Sequence, residues 1–375
     1  MSDPIQVLKP YYRTDEVLEE IRTCLELGWT GMGFRTDEFE QKWVEYTGLP
    51  HAHFLTSATA GLHLALAMFR MKEGWQDGDE IVTTALTFVS TNHAIMYERL
   101  TPVFADVDAF GCIDPAEFER LITDRTRAII FVALAGNTGQ LPRIAQICRD
   151  RGIILILDAA HLAGARLDGA DPGLLADVAI HSFQAVKNLP TADSGMICFT
   201  DQEDDALARQ MTWLGIDKST HQRSHGGTYR WRYDVPNVGY KYHGNSIMAS
   251  MGIVALRYLD EDKVRRREIA DRYTDALAGD NRIQLVPVPE GLVHPRHIFQ
   301  ILVEDRDTLL EAMYADKIYP GVHYIRNVDY EPYREFARPL PQTQRFSDRV
   351  ISLPLHLHMK DEDVDRVTRV VLANL

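Results

Sequence analysis

Short apolar runs recur along the first two hundred residues, and helical segments separate most of them. They are Ala52-His53-Phe54-Leu55, Glu80 to Thr84, Pro102 to Asp106, Ala128 to Leu134, Ile153 to Leu157, Val178 to Phe183 and Met196 to Phe199. A strand that is apolar throughout has to be covered on both faces. Strands alternating with helices achieve this as a mainly parallel sheet between two helical layers, an α/β architecture. Ligands of such sheets collect beyond the carboxyl ends of the strands, so Phe88, Asp158, His161 and Ser182 can meet although far apart in the chain. With 375 residues the chain exceeds what one core usually holds, so two lobes are expected. The first is a large domain over 1–250 that includes the N-terminal arm. The second is a smaller C-terminal α+β domain over 251–375, entered by one long helix from about Met251 through Tyr258, Ile269, Tyr273 and Leu277. Its small sheet is expected from Phe299 to Val303 and from Gly321 to Tyr324.

Composition narrows the function class. The net charge of −14 argues against general binding to nucleic acid or acidic membranes. No window supplies about 18 uninterrupted apolar residues, and the start of the chain has no basic region followed by an apolar core, which predicts a cytoplasmic protein. Cys24, Cys112, Cys148 and Cys198 are scattered without CxxC spacing and suit buried small residues. The pairs His51/His53 and His356/His358 lack the accompanying framework of a metal site, so no metal is expected. One segment departs from the acidic average. From Lys218 to His243 there are five basic residues, Lys218, Arg223, Arg230, Arg232 and Lys241, against the single acid Asp234.

The chemistry concentrates in two residues. Asp158 ends the apolar run Ile153 to Leu157, and Lys187 follows 29 residues later in His181-Ser182-Phe183-Gln184-Ala185-Val186-Lys187-Asn188. A lysine amine can form a Schiff base with an aldehyde cofactor, and a buried carboxylate can keep a pyridine nitrogen protonated. Together they read as the anchors of a pyridoxal phosphate site. Upstream, Thr56-Ser57-Ala58-Thr59-Ala60-Gly61 opens an apolar helix. Such a turn is either a Ser/Thr cap or a cradle of free N–H groups for a phosphate.

These motifs resemble those of the DegT-type (DegT/StrS) sugar aminotransferases. The matching stretches are Gly28-Trp29-Thr30, Ser57 to His63, Gly78-Asp79-Glu80, Thr87 to Thr91, Asp158-Ala159-Ala160-His161, Ser182-Phe183 with Lys187-Asn188, Gly239-Tyr240-Lys241-Tyr242 and Ser352 to Leu355. Within the family the chain is most similar to the enzymes that make UDP-4-amino-4-deoxy-L-arabinose. The resemblance implies the fold type I (aspartate aminotransferase-like) architecture, with pyridoxal 5'-phosphate as cofactor. It also implies amine transfer from an amino acid, glutamate above all, to a nucleotide-linked keto sugar for glycan such as lipopolysaccharide. Carried over by position, Lys187 is the Schiff-base lysine and Asp158 the partner of the pyridine nitrogen. Phe88 stacks on the ring, and His161 lies near the phenolic oxygen. Ser57, Ala58, Thr59 and Ser182 surround the phosphate, and Lys241 reaches it from the neighbouring subunit of a homodimer. Arg230, Arg232, His323 and Tyr324 fall on the substrate side.

Departures from the family pattern bear on the substrate. Ala133 stands where a histidine is frequent, and Thr191-Ala192-Asp193-Ser194-Gly195 replaces a Gly-Glu-Gly-Gly run. Other readings remain open at this level. Related dehydratases carry histidine at the lysine position, which Lys187 argues against. An aminocyclitol ketone as acceptor and a non-catalytic ligand sensor are the further alternatives.

Overall fold

The computed structural model describes residues 3–217 and 232–375. The chain starts with the two-residue strand β1 (Ile5–Gln6) and helices α1 (Thr14–Glu26) and α2 (Phe34–Thr47). Each apolar run read from the sequence is then a strand of one seven-stranded sheet among the described residues. These strands are β2 (His51–Leu55), β3 (Glu80–Thr84), β4 (Thr101–Ala105), β5 (Thr126–Val132), β6 (Ile154–Asp158), β8 (Val178–Ser182) and β9 (Gly195–Phe199). The short strand β7 (Arg166–Leu167) lies outside that sheet, paired with β11 (Leu292–Val293). The spatial order is β2-β9-β8-β6-β5-β3-β4. All strands run in one direction except β9, which is antiparallel to both of its neighbours. Its reversal follows from the connection before it. Phe183 N donates to Ser194 O and Ala185 N to Ala192 O, so residues 183–194 double back as a hairpin instead of crossing over through a helix.

Two helical layers bury the sheet. On one face α3 (Ala58–Glu73), α4 (Val89–Tyr97) and α7 (Gln202–Thr212) bring Leu62, Leu66, Ile95 and Met211 against Ile130, Ile156, Ile180 and Ile197. On the other, α5 (Pro115–Leu121) and α6 (Leu141–Arg151) place Phe118, Leu141 and Ile144 against Ile129, Phe131, Leu155 and Leu157. Neighbouring residues of β5 and β6 thus serve opposite cores, which is why those strands are apolar without alternation. Each such side chain contributes about 1.5–3 kcal/mol on burial.

The C-terminal part builds its own core around a three-stranded antiparallel sheet, β10 (Ile283–Leu285), β12 (Phe299–Val303) and β14 (Val350–Leu353). That core also takes in Ile5 from the N-terminal arm, because β1 pairs with β13 (Ile318–Tyr319). Two expectations need correction here. The single helix expected from Met251 is two helices, Ser246–Arg257 and Leu259–Leu277, broken at Tyr258. Tyr258 is held there from outside: its hydroxyl donates to Glu16, and the Arg13 guanidinium sits 3.7 Å above its ring. The strand expected from Gly321 to Tyr324 is also absent. Only Gly321 bridges to Ser352, and side chains then take over from the ladder. His323 Nδ1 meets Ser352 Oγ at 2.8 Å, and Gln300 Nε2 donates to the His323 carbonyl at 2.7 Å.

Candidate active site

Strands β2, β5, β6 and β8 finish, and β9 begins, at the same end of the large sheet. A cavity of about 520 Å³ lies beyond that end, of the size that holds a cofactor or small ligand. Of the residues singled out in the sequence, Ser57, Ala58, Thr59, Phe88, Asp158, His161, Ser182, Lys187, His323 and Tyr324 all line it. Lys241 and Arg232 do not, and Arg230 lies outside the described residues.

One wall is the start of α3. Ser57 is extended and its Oγ accepts from Ala60 N at 3.1 Å, so it is a helix cap. That bond leaves the N–H groups of Ala58 and Thr59 without carbonyl partners four residues back, at the positive end of a 16-residue helix. Cap and anion cradle therefore coexist in one turn. Gly195 permits the arrangement, since a Cβ there would lie 2.7 Å from Ala58 N and 2.8 Å from the Ser57 carbonyl carbon.

Asp158 and Lys187 set the electrostatics. Asp158, at the end of β6, is 5% exposed. Burial pushes its carboxyl up, partly offset by the Thr91 hydroxyl at 2.8 Å and the Ala160 N–H at 3.1 Å. Thr91 can donate only one hydrogen, so the Thr87 hydroxyl, 2.9 Å away, must donate to Thr91. Burial pushes the Lys187 amine down to about 8, against the opposing pull of Asp158. A substantial fraction of this lysine is therefore neutral near physiological pH.

His161 has a defined tautomer. Its Nδ1 accepts from Ala135 N at 3.1 Å, so Nε2 carries the hydrogen, and burial holds the ring well below its ordinary pKa and neutral. Beside it, with ring centroids 4.5 Å apart, stands His297, which no motif in the sequence marked. Asn188 Nδ2 donates to Pro295 O at 2.8 Å, which makes Asn188 Oδ1 the acceptor and His297 Nδ1 the donor across 3.2 Å. This pair ties the residue next to Lys187 to the strand-leading segment 294–298. Thr91 and Asn188 lay inside recognised motifs, but only their spatial partners reveal what they do. On the open side Phe88 is 59% exposed, and its ring lies 6.2 Å from that of Tyr324.

The chain matches the model of the DegT/DnrJ/EryC1/StrS aminotransferase family over residues 12–372. It belongs to that family. SpsC of Bacillus subtilis, a spore coat polysaccharide biosynthesis protein, is 31% identical over 95% of this chain and 93% of its own length. The PLP form of Spr1654 from Streptococcus pneumoniae superposes with a TM-score of 0.90, at 28% identity and with both chains covered completely. DesI, solved in the presence of its TDP-sugar product, gives a TM-score of 0.87 at 26% identity over 99% of this chain and 93% of that one. The chain is accordingly a fold type I aminotransferase dependent on pyridoxal phosphate. Its cavity fits the cofactor: a half-buried amine of lowered basicity, a buried carboxylate, and a helix start with free N–H groups suit an aldehyde, a pyridine nitrogen and a phosphate respectively.

Lys241 occupies different surroundings. Its Nζ sits 3.3 Å above the Trp213 ring, in a separate cavity with Trp29, Met32 and His243. The carbonyl of its neighbour Tyr242 accepts from Thr56 N at 2.8 Å, so the backbone runs beside the Ser57 turn, yet the Lys241 side chain lies over Trp213 and does not line the main cavity of its own chain. Arg232 is exposed.

Proposed function

We propose that this aminotransferase moves an amino group from glutamate to the keto carbon of a nucleotide-linked sugar, with C4 favoured over C3, for glycan biosynthesis in the cytoplasm. The observation that carries the reading is the meeting of Lys187, Asp158 and the start of α3 in one cavity. Pyridoxal phosphate, when bound, supplies an aldehyde that carries the amino group and a ring that accepts the electron pair left by the departing proton.

The residues divide the remaining work. Ala58 and Thr59 N–H groups with the Ser57 and Ser182 hydroxyls hold the phosphate. Asp158, destabilised as a buried anion, is stabilised by a cationic N–H and so keeps a pyridine nitrogen protonated. Lys187, neutral in part, takes a proton from the donor's α-carbon. In the return half-reaction it delivers one to the former keto carbon of the sugar. His161 presents its Nε2–H to the phenolic oxygen, and Phe88 covers the ring. His323 and Tyr324 line the side from which the sugar enters.

The active unit in this reading is a homodimer. The Lys241 side chain is turned onto Trp213 and does not line the cavity of its own chain, which supports donation to the neighbouring copy. Arg230 and Arg232, from the same basic segment, would meet the diphosphate, for which Arg is well suited. Support for a nucleotide sugar comes from the likeness to DesI, and support for a glycan product from SpsC. The 4-keto preference rests on the Ser57–His63, Asp158–His161 and Gly239–Tyr242 motifs. Incubating the enzyme with glutamate and a panel of 3-keto and 4-keto nucleotide sugars, and analysing products by mass spectrometry, tests it. Amination of a 4-keto nucleotide sugar is expected. Amination only of a cyclitol ketone, or of no ketone, overturns the reading.

A further inference from the structure

The sugar-facing residues His323 and Tyr324 stand on a segment without regular secondary structure, so something other than a ladder must fix their position. Asn327, three residues on, is fully buried and bonded on every side. Its N–H donates to Ala85 O at 2.8 Å, and its carbonyl accepts from Tyr330 N at 2.9 Å. Its side-chain Nδ2 donates to Thr87 O at 2.8 Å, and its Oδ1 accepts from Asn92 Nδ2 at 2.7 Å. Asn92, equally buried, also donates to Thr84 O at 3.0 Å and accepts from Thr83 Oγ1 at 2.7 Å. The same Thr87 starts the hydroxyl chain through Thr91 to Asp158.

We infer that Asn327 is a positioning residue for the acceptor sugar, clamping the His323-Tyr324 segment to the loop that carries Phe88. The inference rests on the proposed nucleotide-sugar reading and deepens it. The direction of the bonds makes the clamp one-sided. Asn327 holds the carbonyl of Thr87, whereas Asp158 depends on the hydroxyl of Thr87 through Thr91. Removing the amide side chain loosens the sugar-facing wall at its Asn327 end, His323 still being tied to Ser352 and Gln300, and leaves the carboxylate's support in place. The amino donor, which reacts at the cofactor itself, is then little affected, and the larger acceptor meets a loosened wall. A buried amide network of this kind is also costly to open, so some loss of thermal stability accompanies the change.

The experiment separates the two half-reactions in Asn327→Ala holoenzyme, with concentrations set by bound cofactor so that only folded protein counts. The rate at which glutamate discharges the aldehyde absorbance is expected within about twofold of wild type. The KM for the nucleotide-linked keto sugar is expected to rise roughly tenfold, as lost hydrogen bonds at a positioned wall allow. Asn92→Ser, which loosens the same clamp from α4 and keeps every residue of the 323–329 segment, is expected to shift that KM in the same direction by a smaller factor, and it carries the test should Asn327→Ala not fold. Equal slowing of both half-reactions, or an unchanged KM with only a lowered melting temperature, overturns the inference. Wild-type enzyme that aminates no nucleotide-linked ketone would instead sink the functional reading and is distinguishable from either result.

Discussion

Two lysines of this chain carry the same group and stand in opposite surroundings. Lys187 lines the main cavity, its amine lowered to about 8 by burial and countered by Asp158. Lys241 is exposed, held over the Trp213 ring and outside that cavity. Burial makes an amine a proton carrier and nucleophile, because it populates the neutral form. A cation kept near water on an aromatic face stays a point charge, which suits a phosphate. In the proposed reading this difference gives the chemistry to the first lysine and electrostatic binding to the second.

Replacing the buried one gives the largest expected effect. Lys187→Ala should lower transamination by at least ~10⁴-fold in steady-state assays, as loss of a group at the centre of proton transfer does. Asp158→Asn, which preserves shape and removes charge, should cost roughly 10³-fold in turnover, measured in the same assay with saturating cofactor. Near-normal turnover of either variant would erase the contrast.

Lys241 should behave differently. Lys241→Ala is expected to weaken cofactor retention about 30-fold, the scale of a lost bond between charged groups, with turnover recovering at high pyridoxal phosphate. Mixing and re-associating the Lys187→Ala and Lys241→Ala proteins sharpens the point. If Lys241 serves the neighbouring copy, mixed dimers regain one site with both lysines intact, and activity returns. Failure of the mixture to gain activity would place Lys241 on its own chain's site or on none.

Smaller effects probe the surroundings of the buried pair. Thr91→Val removes one donor from Asp158 and is expected to slow turnover roughly tenfold. Capture of pyridoxal phosphate by cofactor-free protein needs neutral Lys187, so its rate should increase with pH through about 8 and level off above it. Between pH 7 and 9 the neutral fraction changes roughly tenfold, readable as the rate of absorbance growth on mixing. A rate that falls over this range would contradict the assigned proton state.

The strand-end half of the site was legible in the sequence, and the C-terminal half was not. Runs such as Ile154 to Asp158 declare themselves because both faces are buried, and Lys187 and Asp158 sit at their carboxyl ends where ligands collect. Ser57 was readable as cap or cradle, and it is a cap that leaves a cradle. The reversal of β9 depends on bonds within 183–194 that no periodicity encodes. The break at Tyr258 comes from Arg13 and Glu16, over two hundred residues away, and the apolar pattern runs straight through it. His297, Asn188 and Asn327 act only through partners distant in sequence, so their residue types alone could equally have marked a turn or a surface.

The account stands on Lys187 as the amine that holds the cofactor aldehyde. Reducing the holoenzyme with borohydride and mapping the pyridoxyl group by peptide mass spectrometry addresses this directly. The predicted outcome is a single stoichiometric label on Lys187, absent from Lys187→Ala protein. A label on Lys241 or another lysine, or no stable label at all, would contradict it.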